Sequence, residues 1–269
     1  MLKVALGQFA VANTCQSNLG TCLSLIRRAI EQDARLLVLP EGILARDITD
    51  PDLVCKSAQP LDGPFVSALC EATRANKLTL MTCVHVPLGG ERVANVQIVV
   101  RDARIIACYH KLHLYDAFSG RESRNVQPGD VVPPLVGIGG MHIGMMTCYD
   151  LRFPELARRL AVDGAQVLVL PAAWVKGPLK EMHWETLLRA RALENTAYVV
   201  AVGECGERNI GQSMVIDPFG LPIVQAGESP NLVFATLDPQ RLEIARAALP
   251  VLANRRFALP ELQSPPISF

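Results

Sequence analysis

Residues 36–40 read Leu-Leu-Val-Leu-Pro and residues 167–171 read Val-Leu-Val-Leu-Pro. Each run is apolar before its proline, the composition of a strand covered on both faces, and Pro40 stops the first ladder because it has no N–H to donate, placing Glu41 just beyond the strand end. Upstream of the first run, Val4–Phe9 is another strand candidate. Between them Leu19, Cys22, Leu23, Ile26, Ala29 and Ile30 recur at three- and four-residue intervals, the period of an amphipathic helix. Strand, helix, strand is a βαβ unit, with strands apolar throughout because helices or another sheet cover them.

The second run has a matching approach. His142–Thr147 reads as a strand ending at Cys148, and Phe153-Pro154-Glu155 opens a helix that turns Leu156, Leu160 and Ala161 inward, with proline suited to the first turn. The echo lies about 130 residues from the first run and predicts two similar halves sharing one core. The expectation is therefore an α/β chain forming one domain over residues 1–269, with 250–269 as a proline-containing C-terminal tail.

Between and beyond these runs, Phe65–Asn76 has a helical pattern and Leu78–Val84 a strand pattern. Val93–Val100 and Arg104–Tyr109 form a strand pair around Arg101-Asp102, and residues 116–134 read as an extended loop punctuated by Gly120, Pro128, Gly129, Pro133 and Pro134. Loops of that length in compact domains tend to be functional or disordered. Glu185–Asn195 is a helix expected to point Leu187, Leu188, Ala192 and Leu193 inward and to feed a strand at Tyr198–Val202. Strands at Ser213–Ile216 and Leu232–Leu237 flank the turn Asp217-Pro218-Phe219-Gly220, and a helix at Pro239–Ala248 precedes the tail.

Composition narrows the partners. The 26 Lys and Arg residues balance 26 Asp and Glu, so there is no concentrated basic surface for nucleic acid. No apolar run approaches the ~18 residues of a membrane span, and Met1-Leu2-Lys3 leads straight into a strand rather than a signal peptide. The eight cysteines form no CxxC and no zinc-ligand spacing, which predicts free thiols in a reducing, cytoplasmic setting. No metal and no cofactor is expected, and the partner is a small molecule.

Glu41, Lys111 and Cys148 each follow a predicted strand, where open α/β sheets build their sites. A cysteine is mostly protonated at neutral pH. A carboxylate can take its proton, and a lysine can stabilise the oxyanion formed when sulfur attacks a carbonyl. The three side chains together would make a metal-free covalent hydrolytic apparatus. A histidine-centred alternative also stands, since His110 and His113 flank Lys111 and His142 lies six residues before Cys148. His85, His142 and His183 read as packing residues, and His113 as a brace for Lys111.

The segments LLVLPEG (36–42), YHKLHLYD (109–116) and GMMTCYDLRFPE (144–155) resemble the three motifs of the nitrilase, or carbon–nitrogen hydrolase, superfamily. HWETLLRARALENTAYVVAVGECG (183–206) and GQSMVIDPFG (211–220) extend the resemblance over nearly the full length. It implies a four-layer α-β-β-α sandwich and a Glu41-Lys111-Cys148 triad. It further implies a second glutamate at Glu122 and an oxyanion held by Lys111 and the Tyr149 backbone N–H.

EGILARD (41–47), KSAQPLDGPF (56–65), KLHLYDAFSGRESR (111–124) and PAAWVKGPLKEMHW (171–184) are most similar to the deaminated glutathione amidase branch. That resemblance implies hydrolysis of the γ-amide of deaminated glutathione to 2-oxoglutarate and cysteinylglycine through a cysteine thioester, a metabolite repair reaction. The alternatives are an ω-amidase acting on 2-oxoglutaramate, another small-molecule amidase or N-carbamoyl hydrolase, and a non-catalytic interaction protein. A doubly anionic substrate needs cations, for which Arg46, Arg121, Lys176 and Lys180 are candidates. Arg152 could either bind substrate or pair with Asp150 or Glu155, and Phe118 and Trp174 could supply apolar walls. Relatives commonly dimerise through the helices near the cysteine and C-terminal motifs, which implies a homodimer.

Overall fold

The computed structural model describes residues 1–47, 49–118 and 120–263. Its first half runs β1 (Leu2–Gln8), α1 (Cys15–Glu31), β2 (Leu36–Val38), α2 (Leu53–Lys56), α3 (Pro64–Ala72), β3 (Thr79–Pro87), β4 (Val93–Arg101), β5 (Arg104–His110) and β6 (Val126–Gln127). The second half runs β7 (Val136–Ile138), β8 (Met141–Met145), α4 (Pro154–Val162), β9 (Val167–Ala172), α5 (Lys180–Asn195), β10 (Tyr198–Gly203), β11 (Met214–Ile216) and β12 (Pro222–Gln225). The last strand, β13 (Asn231–Leu237), returns to the first sheet and is followed by α6 (Pro239–Ala248).

Two sheets result. One has the order β13-β1-β2-β3-β4-β5, with β6 pairing β4, and the other has the order β12-β11-β10-β9-β8-β7. β1, β2 and β3 are parallel, as are β8, β9 and β10, and antiparallel strands extend each sheet outward. The two apolar runs are thus the equivalent second strands of two parallel units, although β2 ends before Pro40 while β9 continues through Pro171 to Ala172.

Alternation along the strands sorts side chains into layers. Leu36 and Val38 face the space between the sheets, in one cluster with Met145, Val169 and Val200, which share a face through the register of β8, β9 and β10. Leu37 and Leu39 face the other way, against Cys22, Leu25, Ile26 and Ala29 of α1 and Phe65, Val66 and Leu69 of α3. Helices α4 and α5 cover the outer face of the second sheet with Leu156, Leu160 and Leu188. The order of layers is helix, sheet, sheet, helix, as expected. Each of these fully buried aliphatic side chains contributes about 1.5–3 kcal/mol, so a charge at Leu37 or Leu168 would separate a helix from its sheet.

Several boundaries differ from the sequence reading. Helix α5 begins at Lys180, five residues before Glu185, and Leu193 is 41% exposed rather than inward. Its buried face carries Lys180, Trp184, Leu188, Arg191, Ala192 and Asn195, so polar side chains occupy positions where apolar ones were expected. Strands β7 and β12 are too short to give a period-two signal. The loop over 116–134 is not wholly irregular: Glu122–Arg124 forms a 3₁₀ turn and β6 follows. A Cβ at Gly129 would collide with the His110 carbonyl, so a glycine there lets this loop fold back onto the end of β5.

Of the tail, residues 250–263 run irregularly along the surface, where the Arg159 guanidinium donates to the Pro260 carbonyl at 3.1 Å. The rest of the tail, 264–269, lies outside the described residues. Among the described residues no helix is long and apolar enough to cross a membrane. All eight cysteines are free thiols.

Candidate active site

Three strand ends converge between the sheets. Glu41 follows β2, Lys111 follows β5, and Cys148 follows β8, at 5%, 2% and 6% exposure respectively. Lys111 Nζ donates to Glu41 Oε1 at 2.8 Å and to both Glu122 oxygens at 3.0 and 2.8 Å. Asn95 Nδ2 donates to Glu41 Oε1 at 2.8 Å and to Glu122 Oε1 at 3.2 Å, so the two carboxylates share both donors. The Ala173 N–H donates to Glu41 Oε2 at 2.9 Å and the Tyr115 N–H to Glu122 Oε2 at 2.6 Å. Glu122 is thus spent on Lys111, Asn95 and the Tyr115 N–H, and the neighbouring Arg124 lies 3.5 Å from Asp52 instead.

Cys148 opens a 3₁₀ turn, Cys148–Arg152, with φ +45°, a left-handed conformation that costs a residue with a Cβ of order 1–3 kcal/mol. The surroundings hold it there. Asp150, fully buried, accepts the Thr147 N–H at 2.8 Å, the Tyr109 hydroxyl at 2.8 Å and the His113 N–H at 3.2 Å, and its Oδ1 lies 2.7 Å from His113 Nδ1. Arg191 of α5 donates to the Leu151 carbonyl at 3.0 Å. The Tyr149 N–H belongs to the first turn of this short helix, where N–H groups have no partner within the helix.

Burial pushes the Cys148 thiol well above its ordinary range, and the negative charge of Glu41 adds to this while Lys111 opposes it. Burial would raise Glu41 as well, but the charge and hydrogen bond of Lys111, helped by Arg46, hold its carboxyl below the usual carboxylate range. Burial works against a charged Lys111, yet Glu122 and Glu41 outweigh it and raise the ammonium's pKa. The resting arrangement is a neutral thiol beside a carboxylate–ammonium–carboxylate cluster.

The site opens into a cavity of about 800 Å³. Of the side chains expected to bind substrate, Arg46, Arg121, Trp174 and Lys180 line it, whereas Phe118, Arg152 and Lys176 do not. Phe118 is 64% exposed, and Lys176 donates to the Gly206 carbonyl at 3.0 Å. Arg152 pairs with neither Asp150 nor Glu155. Its guanidinium lies 4.8 Å from the Trp174 ring, with Nη2 3.4 Å from His183 Nδ1. Arg46 is committed to the protein: it donates to the Glu41 carbonyl at 3.2 Å, and its Nε lies 2.8 Å from Glu204 Oε2, an ion pair by distance without an aligned hydrogen bond.

The sequence reading missed Asn95, Tyr115, Glu204 and Arg208, which also line the cavity. Asn95 and Gln97 did leave a signal. They are polar, two apart and fully buried in a strand otherwise apolar, which places both on one inward face. Among the described residues no group of three His, Cys, Asp or Glu side chains is arranged to hold a metal ion.

Residues 3–247 match the carbon-nitrogen hydrolase family. The chain belongs to that family. It is 53% identical over 261 residues to the deaminated glutathione amidase of Escherichia coli O157:H7, covering 97% of this chain and 100% of that protein. Its fold superposes on Saccharomyces cerevisiae Nit3, a member of branch 10 of the nitrilase superfamily, with a TM-score of 0.84 at 29% identity, over 95% of this chain and 97% of that one. A mutant of the amidase from Nesterenkonia sp. AN1, showing covalent addition of the acetamide moiety of fluoroacetamide at its active site cysteine, superposes with a TM-score of 0.81 at 26% identity, over 95% and 94% of the two chains. As a carbon-nitrogen hydrolase the chain is an enzyme, and Glu41, Lys111, Glu122 and Cys148 all lie within the matched residues.

Proposed function

We propose that this hydrolase is a deaminated glutathione amidase that cleaves the γ-amide to 2-oxoglutarate and cysteinylglycine. Carrying the reading is the Glu41–Lys111–Glu122 cluster facing Cys148 at a cavity large enough for a tripeptide-sized acid. The near end-to-end similarity to the E. coli amidase supports the choice of substrate.

In the reaction, Cys148 Sγ attacks the amide carbon as its proton passes to Glu41. The raised thiol pKa and lowered carboxyl pKa make a stable thiolate in the resting enzyme unfavourable, so proton transfer accompanies C–S bond formation instead of preceding it. The carbonyl oxygen gains the electron pair and is held by Lys111 Nζ and the Tyr149 N–H. Collapse breaks the C–N bond, Glu41 returns the proton to the leaving amine, and cysteinylglycine departs. Glu41 then takes a proton from water as it attacks the Cys148 thioester, and the thiol is regenerated with release of 2-oxoglutarate. Glu122 keeps Lys111 charged and aimed.

The same reading takes the chain as one domain, supported by the core that spans both sheets, and as a cytoplasmic homodimer acting on a small molecule without nucleic acid. Free thiols suit a reducing compartment. The deciding assay compares deaminated glutathione, 2-oxoglutaramate and small N-carbamoyl compounds under identical conditions. Highest kcat/KM on deaminated glutathione is expected; a clear preference for 2-oxoglutaramate would replace the substrate and leave the four-residue chemistry intact.

A further inference from the structure

Lys180 is 4% exposed at the start of α5, yet it lines the cavity. Its ammonium lies 4.3 Å from the Phe118 ring, 5.0 Å from Tyr115 and 5.3 Å from Trp174, and it donates to the Tyr115 hydroxyl at 3.2 Å. Among the described residues no carboxylate stands within ion-pair distance of it. Behind it, against the same Trp174 ring, lies the Arg152 guanidinium, a second cation without a carboxylate partner among the described residues. Aromatic faces stabilise a desolvated cation in part. A buried ammonium nevertheless has three donors, and one of them meets a hydroxyl here.

The position of this ammonium selects which end of a substrate it meets. Trp174 directly follows Ala173, whose N–H holds Glu41. The Tyr115 N–H holds Glu122, and its ring packs edge-on against Tyr149, the residue after the nucleophile, at 5.2 Å. Lys180 is therefore built into the same floor as the reacting groups, while Arg121 and Arg208 are exposed parts of the cavity lining. In a two-step hydrolysis the acyl half stays covalently bound to Cys148 while the amine half leaves. A buried receptor serves the half that stays, and exposed cations serve the half that goes.

We infer that Lys180 is the receptor for a carboxylate on the acyl side of the scissile amide, and so the residue that makes this enzyme select amides of dicarboxylic acids. The inference rests on the amidase reading above and adds to it the group that recognises the acyl chain. A charge-assisted hydrogen bond from a desolvated ammonium also orients the amide for attack, so its loss affects KM and the acid preference more than the chemistry of neutral amides.

The test measures kcat/KM for 2-oxoglutaramate, for its methyl ester, and for deaminated glutathione with either the acyl carboxylate methylated or the glycine carboxylate amidated. Wild-type enzyme and Lys180→Met are compared, with thermal melting as the check of folding. The variant is expected to lose roughly 10- to 100-fold on every substrate with a free acyl carboxylate, to lose little on the acyl esters, and to keep the wild-type preference at the glycine end. Weakening of competitive inhibition by 2-oxoglutarate to the same extent is expected. Lys180→Arg should restore much of the acid preference, and Lys180→Gln, which can still bond the Tyr115 hydroxyl, gives the same comparison where the methionine variant does not fold. An acid-to-ester ratio unchanged in a folded variant overturns the inference, as does an equal loss on acid and ester or a loss confined to the glycine end. If the wild-type enzyme hydrolyses none of these amides, it is the amidase reading that fails.

Discussion

The Tyr109 hydroxyl donates to the Asp150 carboxylate at 2.8 Å, joining the last turn-facing residue of β5 to the turn that carries the nucleophile. The same hydroxyl accepts the Leu112 N–H at 3.0 Å, so the link spans the residues on both sides of Lys111. His113 closes it from the other side, with its ring stacked on Phe153 at 3.7 Å and its backbone and Nδ1 on Asp150. Lys111 and Cys148 come from different sheets, and this buried carboxylate sets their separation. Tyr109→Phe leaves Asp150 and the Leu112 N–H each short of a partner, which should cost about 1–3 kcal/mol of stability. It should also lower kcat by roughly tenfold with little change in KM, since a misplacement of the oxyanion donor is felt in the transition state. Urea unfolding beside steady-state kinetics measures both; unchanged kcat would show that the link serves stability alone.

Cys148→Ala removes the acyl acceptor and little else. The variant should fold, because alanine fills nearly the same space and the turn is held by Asp150, but amide turnover should vanish. Intact mass of the wild-type protein during a slow turnover should show the acyl adduct on a peptide containing Cys148, and Glu41→Gln should lengthen its lifetime by leaving the thioester without a base for water. An alanine variant with normal turnover would end the covalent mechanism.

The positions after β2, β5 and β8 were legible because a strand's end is a local feature: an apolar run, a stop, and one chemically capable side chain beyond it. What joins them was not. Asn95 sits in the middle of β4, and its value to Glu41 and Glu122 depends on a sheet register that no single stretch of sequence encodes. Arg152, Lys176 and Arg46 show the opposite failure. A cation in a loop beside a motif is equally able to reach a substrate, a carbonyl or an aromatic ring, and here they meet Trp174, the Gly206 carbonyl and Glu204 respectively. Lys180 was named for its loop setting, but its confinement follows from α5 starting five residues earlier than its apolar pattern indicates. The two strand-helix-strand units were readable from the two apolar runs and the helical periods of α1 and α4, whereas the four-layer order came with the resemblance to the family, because β2 is three apolar residues with no period of its own.

Lys111→Met should expose what the ammonium does for the fold. It leaves Glu41 buried without the ammonium that offsets its burial, so the folded-state pKa of Glu41 should rise. A carboxyl whose folded pKa lies above its unfolded value is destabilising once pH exceeds the unfolded value, because unfolding then allows it to ionise in water. The variant should therefore lose more stability at pH 8 than at pH 5, a window in which the wild-type contribution of a depressed Glu41 is constant because it falls away only below about 4.5. Removing one member of a buried ion cluster typically costs about 3–5 kcal/mol, and a missing oxyanion donor about 10²–10³ in rate. Melting curves across this pH range decide the first point; a loss of stability that is flat with pH would mean Glu41 remains ionised without Lys111.

His85 gives the acid side of the profile its own signature. The ring is buried against Gly42, its Nδ1 has no hydrogen-bond partner, and it lines the cavity on the Arg46 side of Glu41. Burial, with the positive charges of Arg46 and Lys111, pushes its pKa down to about 4 against the opposing pull of Glu41, so the imidazole is neutral in the working enzyme. In the unfolded chain it titrates at about 6.5. Its depressed folded value means that the stabilisation is fully present above about pH 6.5, where both states are neutral, and declines as pH falls toward 4 because only the unfolded chain takes up the proton. A gap of this size corresponds to roughly 3 kcal/mol lost across that window. The depressed Glu41 loses its contribution only at lower pH, as it falls from about 4.5 toward its folded value, so the two effects separate on the pH axis. Unfolding free energies of wild type and His85→Gln, measured with urea at intervals from pH 7 to pH 4.5, should converge as pH falls, since the variant has no proton to take up at this position. Parallel curves would show that His85 is already solvated or charged in the native state, and would remove it as the source of acid sensitivity.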